Sequence, residues 1–265
     1  MTRDEPSRPD RSDVLGVPVS SVTMADAVAC IARWIDEGRR AYVCVTGVHG
    51  VMECQRDSTL RGIHARAGMV TPDGMPLVWF LRLSGDRRIE RVYGPDLMRA
   101  VTAMSVARGY RHFYYGGPPG VADRLAETLR RVHPALQVTG TLCPPFRALT
   151  PEEDRAETAA INAARPDIVW VGLSTPKQER WMAAHLDCID APVMVGVGAA
   201  FDFLAGTKRQ APPWFGRHGL EWLFRLCTEP RRLWRRYAYI VPGFLFLATC
   251  EFARRAIRQP ARVPQ

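Results

Sequence analysis

Residues 168–198 read IVWVGLSTPKQERWMAAHLDCIDAPVMVGVG. The stretch opens on one continuous apolar run, 168–172, and closes on another, 192–198. Continuous rather than alternating apolarity marks strands buried on both faces. Between the runs lies an amphipathic segment, 176–186, which reads as a helix. Thr175 is placed to be its N-cap, Pro176 its first residue and Gln178 the partner in a capping box. Working outward, 41–46 (AYVCVT), 112–115 (HFYY) and 136–141 (LQVTGT) have the same strand character. Segments 24–37, 50–66, 120–132 and 151–164 are amphipathic at helical spacing. Strands alternating with helices predict an α/β fold, a mostly parallel sheet with helices on both faces. In such sheets ligands bind at the carboxyl ends of the strands, so the loops after the strands are where chemistry is expected.

Composition narrows the class. The 265 residues include seven scattered cysteines with no C-x-x-C pair, and six histidines with no metal-ligand spacing. A disulfide framework and a structural zinc site are not expected, and free thiols suit a reducing cytoplasm. Residues 1–13 are polar and are expected to be a disordered leader, 14–205 the catalytic domain, 206–258 a basic aromatic appendage and 259–265 a tail. The formal net charge is +9, and the last 60 residues hold 12 Lys and Arg against 3 Asp and Glu. The whole excess therefore lies there, interleaved with Trp214, Trp222, Phe224, Trp234, Tyr237, Phe244 and Phe246. That mixture favours an anionic membrane surface over a solvated helix face, and disfavours nucleic acid. The apolar run 237–250 is broken by Pro242 and Gly243 and is too short to span a bilayer.

Four loops carry candidate residues. In TPDGMP (71–76), Asp73 before Gly74 is a candidate general base; the spacing alone favours a Pro-Asp-Gly turn, or a helix cap. In GGPPGV (116–121), Gly116 and Gly117 would let backbone N–H groups approach a phosphate at a helix start, or simply make a tight turn. In GLSTPKQE (172–179), Lys177 stands at a helix N-terminus, where the macrodipole disfavours a cation. The chain has 34 arginines but only two lysines, Lys177 and Lys208, so a phosphate partner is the functional reading. In GAAFDF (198–203), Asp202 is a binding carboxylate or a buried cap. Beyond these, Arg225, Arg232 and Arg235 would share one face of a continuous helix, although Pro230 bends or restarts it.

Seven pieces in order resemble the bacterial glycosyltransferase family named for WecG, TagA and CpsF: TPDGMPLVW (71–79), ERVYGPDLM (90–98), YYGGPPGVADRL (114–125), VGLSTPKQERW (171–181), GVGAAFDFLAG (196–206), RQAPPW (209–214) and GLEWLFRL with EPRRLWRRY (219–237). The resemblance implies a Rossmann-like fold and transfer of a hexosyl, N-acetylhexosaminyl or uronyl group from a UDP-sugar to a polyprenyl-diphosphate-linked saccharide. It implies no metal and no cofactor. Asp73 would be the base and Gln178 a donor contact, with Glu179 beside it; Arg91 would touch phosphate or substrate. Arg225, Arg232 and Arg235 would belong to a membrane-docking appendage facing the acceptor diphosphate. Where relatives carry T-x-N after the first strand, this chain has Thr46 and then His49, which takes the place of the asparagine. Localisation follows as cytoplasmic, peripheral to the inner face of the plasma membrane. A homo-oligomer is left open. Two rival classes are a nicotinamide-dependent sugar-nucleotide oxidoreductase, disfavoured by the missing G-x-G-x-x-G, and a non-catalytic membrane or nucleic-acid adaptor.

Overall fold

A computed structural model describes residues 8–258. Among the described residues eight strands and twelve helices follow one another: β1 (Arg11–Val14), β2 (Val17–Ser20), α1 (Met24–Asp36), β3 (Ala41–Thr46), α2 (Val48–Arg56), α3 (Ser58–Arg66), β4 (Met69–Pro72), α4 (Met75–Leu83), α5 (Gly94–Arg108), β5 (Arg111–Gly116), α6 (Val121–Val132), β6 (Gln137–Leu142), α7 (Pro151–Ala163), β7 (Ile168–Gly172), α8 (Lys177–His185), β8 (Val193–Gly196), α9 (Ala200–Leu204), α10 (Pro213–Arg217), α11 (Glu221–Thr228) and α12 (Pro230–Arg258). The main sheet has six parallel strands in the order β4-β3-β8-β7-β5-β6. Strands β1 and β2 form a separate antiparallel hairpin. The expected α/β class therefore holds, and strand β3 is buried at all six positions.

Two cores flank the sheet. One joins α1, α5, α6 and α9 through residues such as Ile31, Trp34, Val101, Leu125 and Phe201. The other joins α2, α3, α4, α8 and α12 through Met52, Leu60, Phe80, Met182, Ile240 and Phe244. Each fully buried aliphatic or aromatic side chain contributes roughly 1.5–3 kcal/mol. Helix α1 starts at a capping box: the Thr23 hydroxyl accepts from the Asp26 N–H at 3.1 Å, and Asp26 accepts from the Thr23 N–H at 3.0 Å.

Several expectations are corrected. Residues 11–13 are not part of a leader: they pair in β1, because Val14, Val17 and Val19 are wholly buried and anchor the hairpin. Residues 1–7 and the tail 259–265 lie outside the described residues. The amphipathic segment 50–66 is two helices, since Asp57 ends α2 and its carboxylate accepts from the Leu60 N–H at 3.0 Å to cap α3. Pro242 does not interrupt the last helix. Ile240 and Phe244 are buried on either side of it, and Gly243 lies so close to Met52 that a Cβ there would come within 2.9 Å of its Cε.

Candidate active site

Strands β5 and β7 are neighbours, yet their outgoing helices leave on opposite faces: α6 packs into the first core and α8 into the second. The connections diverge there, and the crevice between the two strand ends is the switch point at which open α/β sheets bind ligands. A cleft of ≈ 970 Å³ opens there, lined by Gly117, Phe146, Gly172, Ser174, Lys177, Gly198, Asp202 and Lys208 among others. Its size suits a nucleotide-sized ligand.

Glycine makes the crevice possible. Gly116 has φ +113°, and a Cβ there would lie 2.8 Å from the Gly172 carbonyl carbon on the adjacent strand. The N–H of Gly117 is tied to the Gly172 carbonyl at 3.0 Å. Both lysines of the chain line the cleft. Lys208 pairs with Asp202 at 3.0 Å, while the Lys177 ammonium lies 4.8 Å from the centroid of the fully exposed Phe146 ring.

Below the cleft, Gln178 and Glu179 are buried. The expected capping box is absent. Pro176 is the N-cap of α8, without a side-chain hydrogen bond, and the Thr175 hydroxyl instead donates to the Glu179 carboxylate at 2.8 Å. The Gln178 amide donates to the same oxygen at 3.0 Å. The other Glu179 oxygen and the Gln178 carbonyl oxygen are buried with no hydrogen-bond partner. A Cβ on Gly198, at the cleft wall, would be 3.4 Å from that Gln178 oxygen. Buried unpaired acceptors cost about 1–3 kcal/mol each.

Asp73 follows β4 at the same edge of the sheet. It is not the N-cap of the helix that follows it: Gly74 occupies that position of α4. The Asp73 N–H donates to the Thr46 carbonyl at 3.0 Å, and its carboxylate accepts from the Gly94 N–H at 3.0 Å. Gly94 in turn packs on the loop after β8, where a Cβ would be 3.4 Å from the Val197 carbonyl. Asp73 thus lies at the same carboxyl end of the sheet as the cleft, outside the residues that line it. Burial pushes the Asp73 carboxyl up to about 6; Glu221 adds to the rise, while Arg91, the Gly94 hydrogen bond and Arg225 oppose it. A carboxyl poised there can exchange a proton near neutral pH.

The remaining candidates divide. Thr46 does not face the mouth: its buried hydroxyl meets the ring Nε2 of buried His64 at 3.1 Å, and that ring is held by the Leu60 carbonyl at 3.0 Å. His49 stands at the start of α2, 3.3 Å from Glu53; burial lowers its basicity, Arg236 adds to this and Glu53 opposes it. Arg91 donates to the Asp73 carbonyl at 2.7 Å, stacks 4.1 Å from the Tyr93 ring centroid and forms an ion pair with Glu221. Its guanidinium is therefore already engaged.

The three appendage arginines do not form one ridge, because Glu229 caps α11 and Pro230 begins α12. Arg225 lies 5.8 Å from the Phe203 ring centroid with its Nε buried and unpaired. Arg232 pairs with Glu229 at 2.6 Å, and Arg235 lies over Trp234. Arg236, not Arg235, acts on His49. Sequence reasoning missed Glu221, Arg236 and Phe146. The exposed aromatic in the Pro144-Pro145 loop was the one available signal among them. Among the described residues, no three His, Cys, Asp or Glu side chains are grouped so as to hold a metal.

Comparison with known proteins gives a consistent family. An N-acetylglucosaminyldiphosphoundecaprenol N-acetyl-beta-D-mannosaminyltransferase of Bacillus spizizenii is 28% identical over 203 residues, 77% of each chain. The protein of the same name from Bacillus subtilis (strain 168) is 26% identical over 204 residues, again 77% of each. That from Staphylococcus aureus (strain NCTC 8325 / PS 47) is 23% identical over 261 residues, 98% of this chain and 99% of its own. Residues 12–258 match the model of the Glycosyl transferase WecG/TagA/CpsF family, and the chain belongs to that family.

Proposed function

We propose that this glycosyltransferase moves a hexosyl, N-acetylhexosaminyl or uronyl group from a UDP-sugar to a polyprenyl-diphosphate-linked saccharide, with inversion. The observation that carries the reading is the cleft at the β5/β7 switch point, with the buried Asp73 carboxyl at the same carboxyl end of the sheet. The Gly116–Gly117 turn and Lys177 suit a diphosphate. The Gln178 carbonyl oxygen, unpaired behind Gly198 of the cleft wall, suits a ligand that brings a hydroxyl or amide donor. Asp73 takes the proton of the acceptor hydroxyl as that oxygen bonds to the anomeric carbon. The bond from that carbon to the diphosphate breaks, and the nucleoside diphosphate leaves with the electron pair. The relatives' name specifies mannosaminyl transfer to an N-acetylglucosaminyl-diphosphoundecaprenol, which favours a polyprenyl diphosphate acceptor here as well.

Such an acceptor is embedded in lipid, and the appendage fits docking at the inner membrane face. Among the described residues no helix is long and apolar enough to cross a membrane. Helix α12 instead exposes Trp234, Leu245, Phe246 and Ile257, with Arg231, Arg235 and Arg236 near one end and Arg254 near the other. That pattern suits a helix lying in the interface of an anionic leaflet.

The test is a panel of UDP-sugars and UDP assayed for binding by thermal shift, followed by transfer onto vesicle-embedded polyprenyl-diphosphate N-acetylglucosamine. A UDP-dependent shift and a lipid-linked disaccharide are expected. Absence of any nucleotide shift, with no product formed in the presence of vesicles, would overturn the reading.

A further inference from the structure

Arg91 and Glu221 are 130 residues apart and meet beside Asp73. Arg91 has one function on each side. Its Nε–H holds the Asp73 carbonyl, and its terminal nitrogen holds the Glu221 carboxylate at the start of α11. The contact is built, since both side chains are about four-fifths buried, with 19% of each exposed. The appendage backbone closes over the same place. A Cβ on Gly216 would come within 2.6 Å of the Arg91 guanidinium, and one on Gly219 within 2.6 Å of the Trp79 ring of α4. The buried Tyr93 hydroxyl faces the Glu221 carboxylate there, with its ring under Arg91.

From this arrangement we infer that Glu221 is a positioning residue for the base: through Arg91 it couples seating of the C-terminal helices to the setting of Asp73. The inference rests on the proposed role of Asp73. The groups facing that carboxyl are Arg91 and Tyr93 from the segment before α5, the Gly94 N–H, and Glu221 and Arg225 from α11. Glu221 neutralises Arg91 and adds a negative charge near Asp73, so the carboxylate holds its proton more tightly and is a stronger base. With α11 undocked, Glu221 and Arg225 leave together and Arg91 is left unpaired beside Asp73. The base would then be both looser and weaker. Coupling of this kind makes transfer depend on the appendage being in place.

The experiment uses the full chain with its aspartate carboxyl carbons labelled with carbon-13. Asp73 is assigned by its disappearance in Asp73→Asn and titrated in wild type, Glu221→Gln and Glu221→Asp. In Glu221→Gln the Asp73 midpoint should move to lower pH, amide exchange in 221–228 should accelerate, and lipid-linked transfer should fall about 10- to 100-fold, the scale of a small misplacement of a reacting group. Glu221→Asp keeps the charge and should keep the midpoint near that of wild type. An unmoved midpoint with unchanged protection of α11 in Glu221→Gln overturns the inference, whatever happens to turnover. Transfer retained in Asp73→Asn would instead overturn the role of Asp73 itself, so the two failures are separable.

Discussion

Asp73 is the proposed base, and its environment makes opposite predictions for rate and for stability. Its carboxyl is raised to about 6, chiefly by burial, so turnover should climb with pH through that value as the base ionises. Because the folded-state affinity for the proton exceeds that of the unfolded chain, the stabilising contribution is complete below about pH 4 and is lost as pH rises through 6. Asp73→Asn should therefore lower turnover about 10²- to 10⁴-fold, yet melt at the same or a higher temperature than wild type at pH 8. Loss of both activity and thermal stability at that pH would show a structural role. Phe146, fully exposed beside Lys177, is placed to stack on a nucleobase. Stacking is worth about 1–3 kcal/mol by alanine substitution, so Phe146→Ala should weaken UDP binding roughly tenfold in a calorimetric titration. Asp73 stood out in the sequence only through the family resemblance, since a Pro-Asp-Gly turn explains its spacing on its own. Glu221 did not, because its meaning depends on Arg91, a partner that only folding brings near. Thr46 misled for the converse reason: the last residue of a strand can turn either to the mouth or inward, and here a buried histidine decides.

At the level of elements, β3, β5, β6, β7 and β8 were readable in the sequence, and β1, β2 and β4 were not. Strand β4 is only MVTP, too short to show a period before its proline. The β1–β2 hairpin carries Arg11, Ser12 and Asp13 on its first strand, which mimics a solvated leader. Helix α5 was missed because its apolar residues are spread around much of its surface, buried by α1 on one side and α9 on another. Between β5 and α6 the turn depends on Gly116. Its positive φ and its closeness to the Gly172 backbone leave no room for a side chain. Gly116→Ala should cost about 1–3 kcal/mol for the strained backbone alone, with more for the displaced neighbouring strand, measurable as a lower urea midpoint. A wild-type midpoint would mean that the two strand ends can part freely.

For the molecule as a whole, charge and apolar surface are segregated. The basic excess lies in the last 60 residues, and α12 is seated on α2 and α4 through Ile240, Phe244 and the Phe80–Phe252 pair, with rings 4.9 Å apart. Its outer arginines remain for a partner. A basic residue near an anionic leaflet is worth about 1 kcal/mol. Replacing Arg231, Arg235 and Arg254 by glutamine should weaken sedimentation with phosphatidylserine vesicles roughly 100-fold, and added salt should weaken wild type in the same direction. Binding unaffected by either change would place the lipid contact elsewhere. The sheet order carries one more consequence. Strand β8 is the last to be synthesised, yet it lies between β3 and β7 in the middle of the sheet. A nascent chain that has not yet released residues 193–196 from the ribosome has two half-sheets with open flanking edges and nothing to join them. Completion of the sheet thus waits for its final strand, and until then the emerging polypeptide exposes strand edges that invite mispairing.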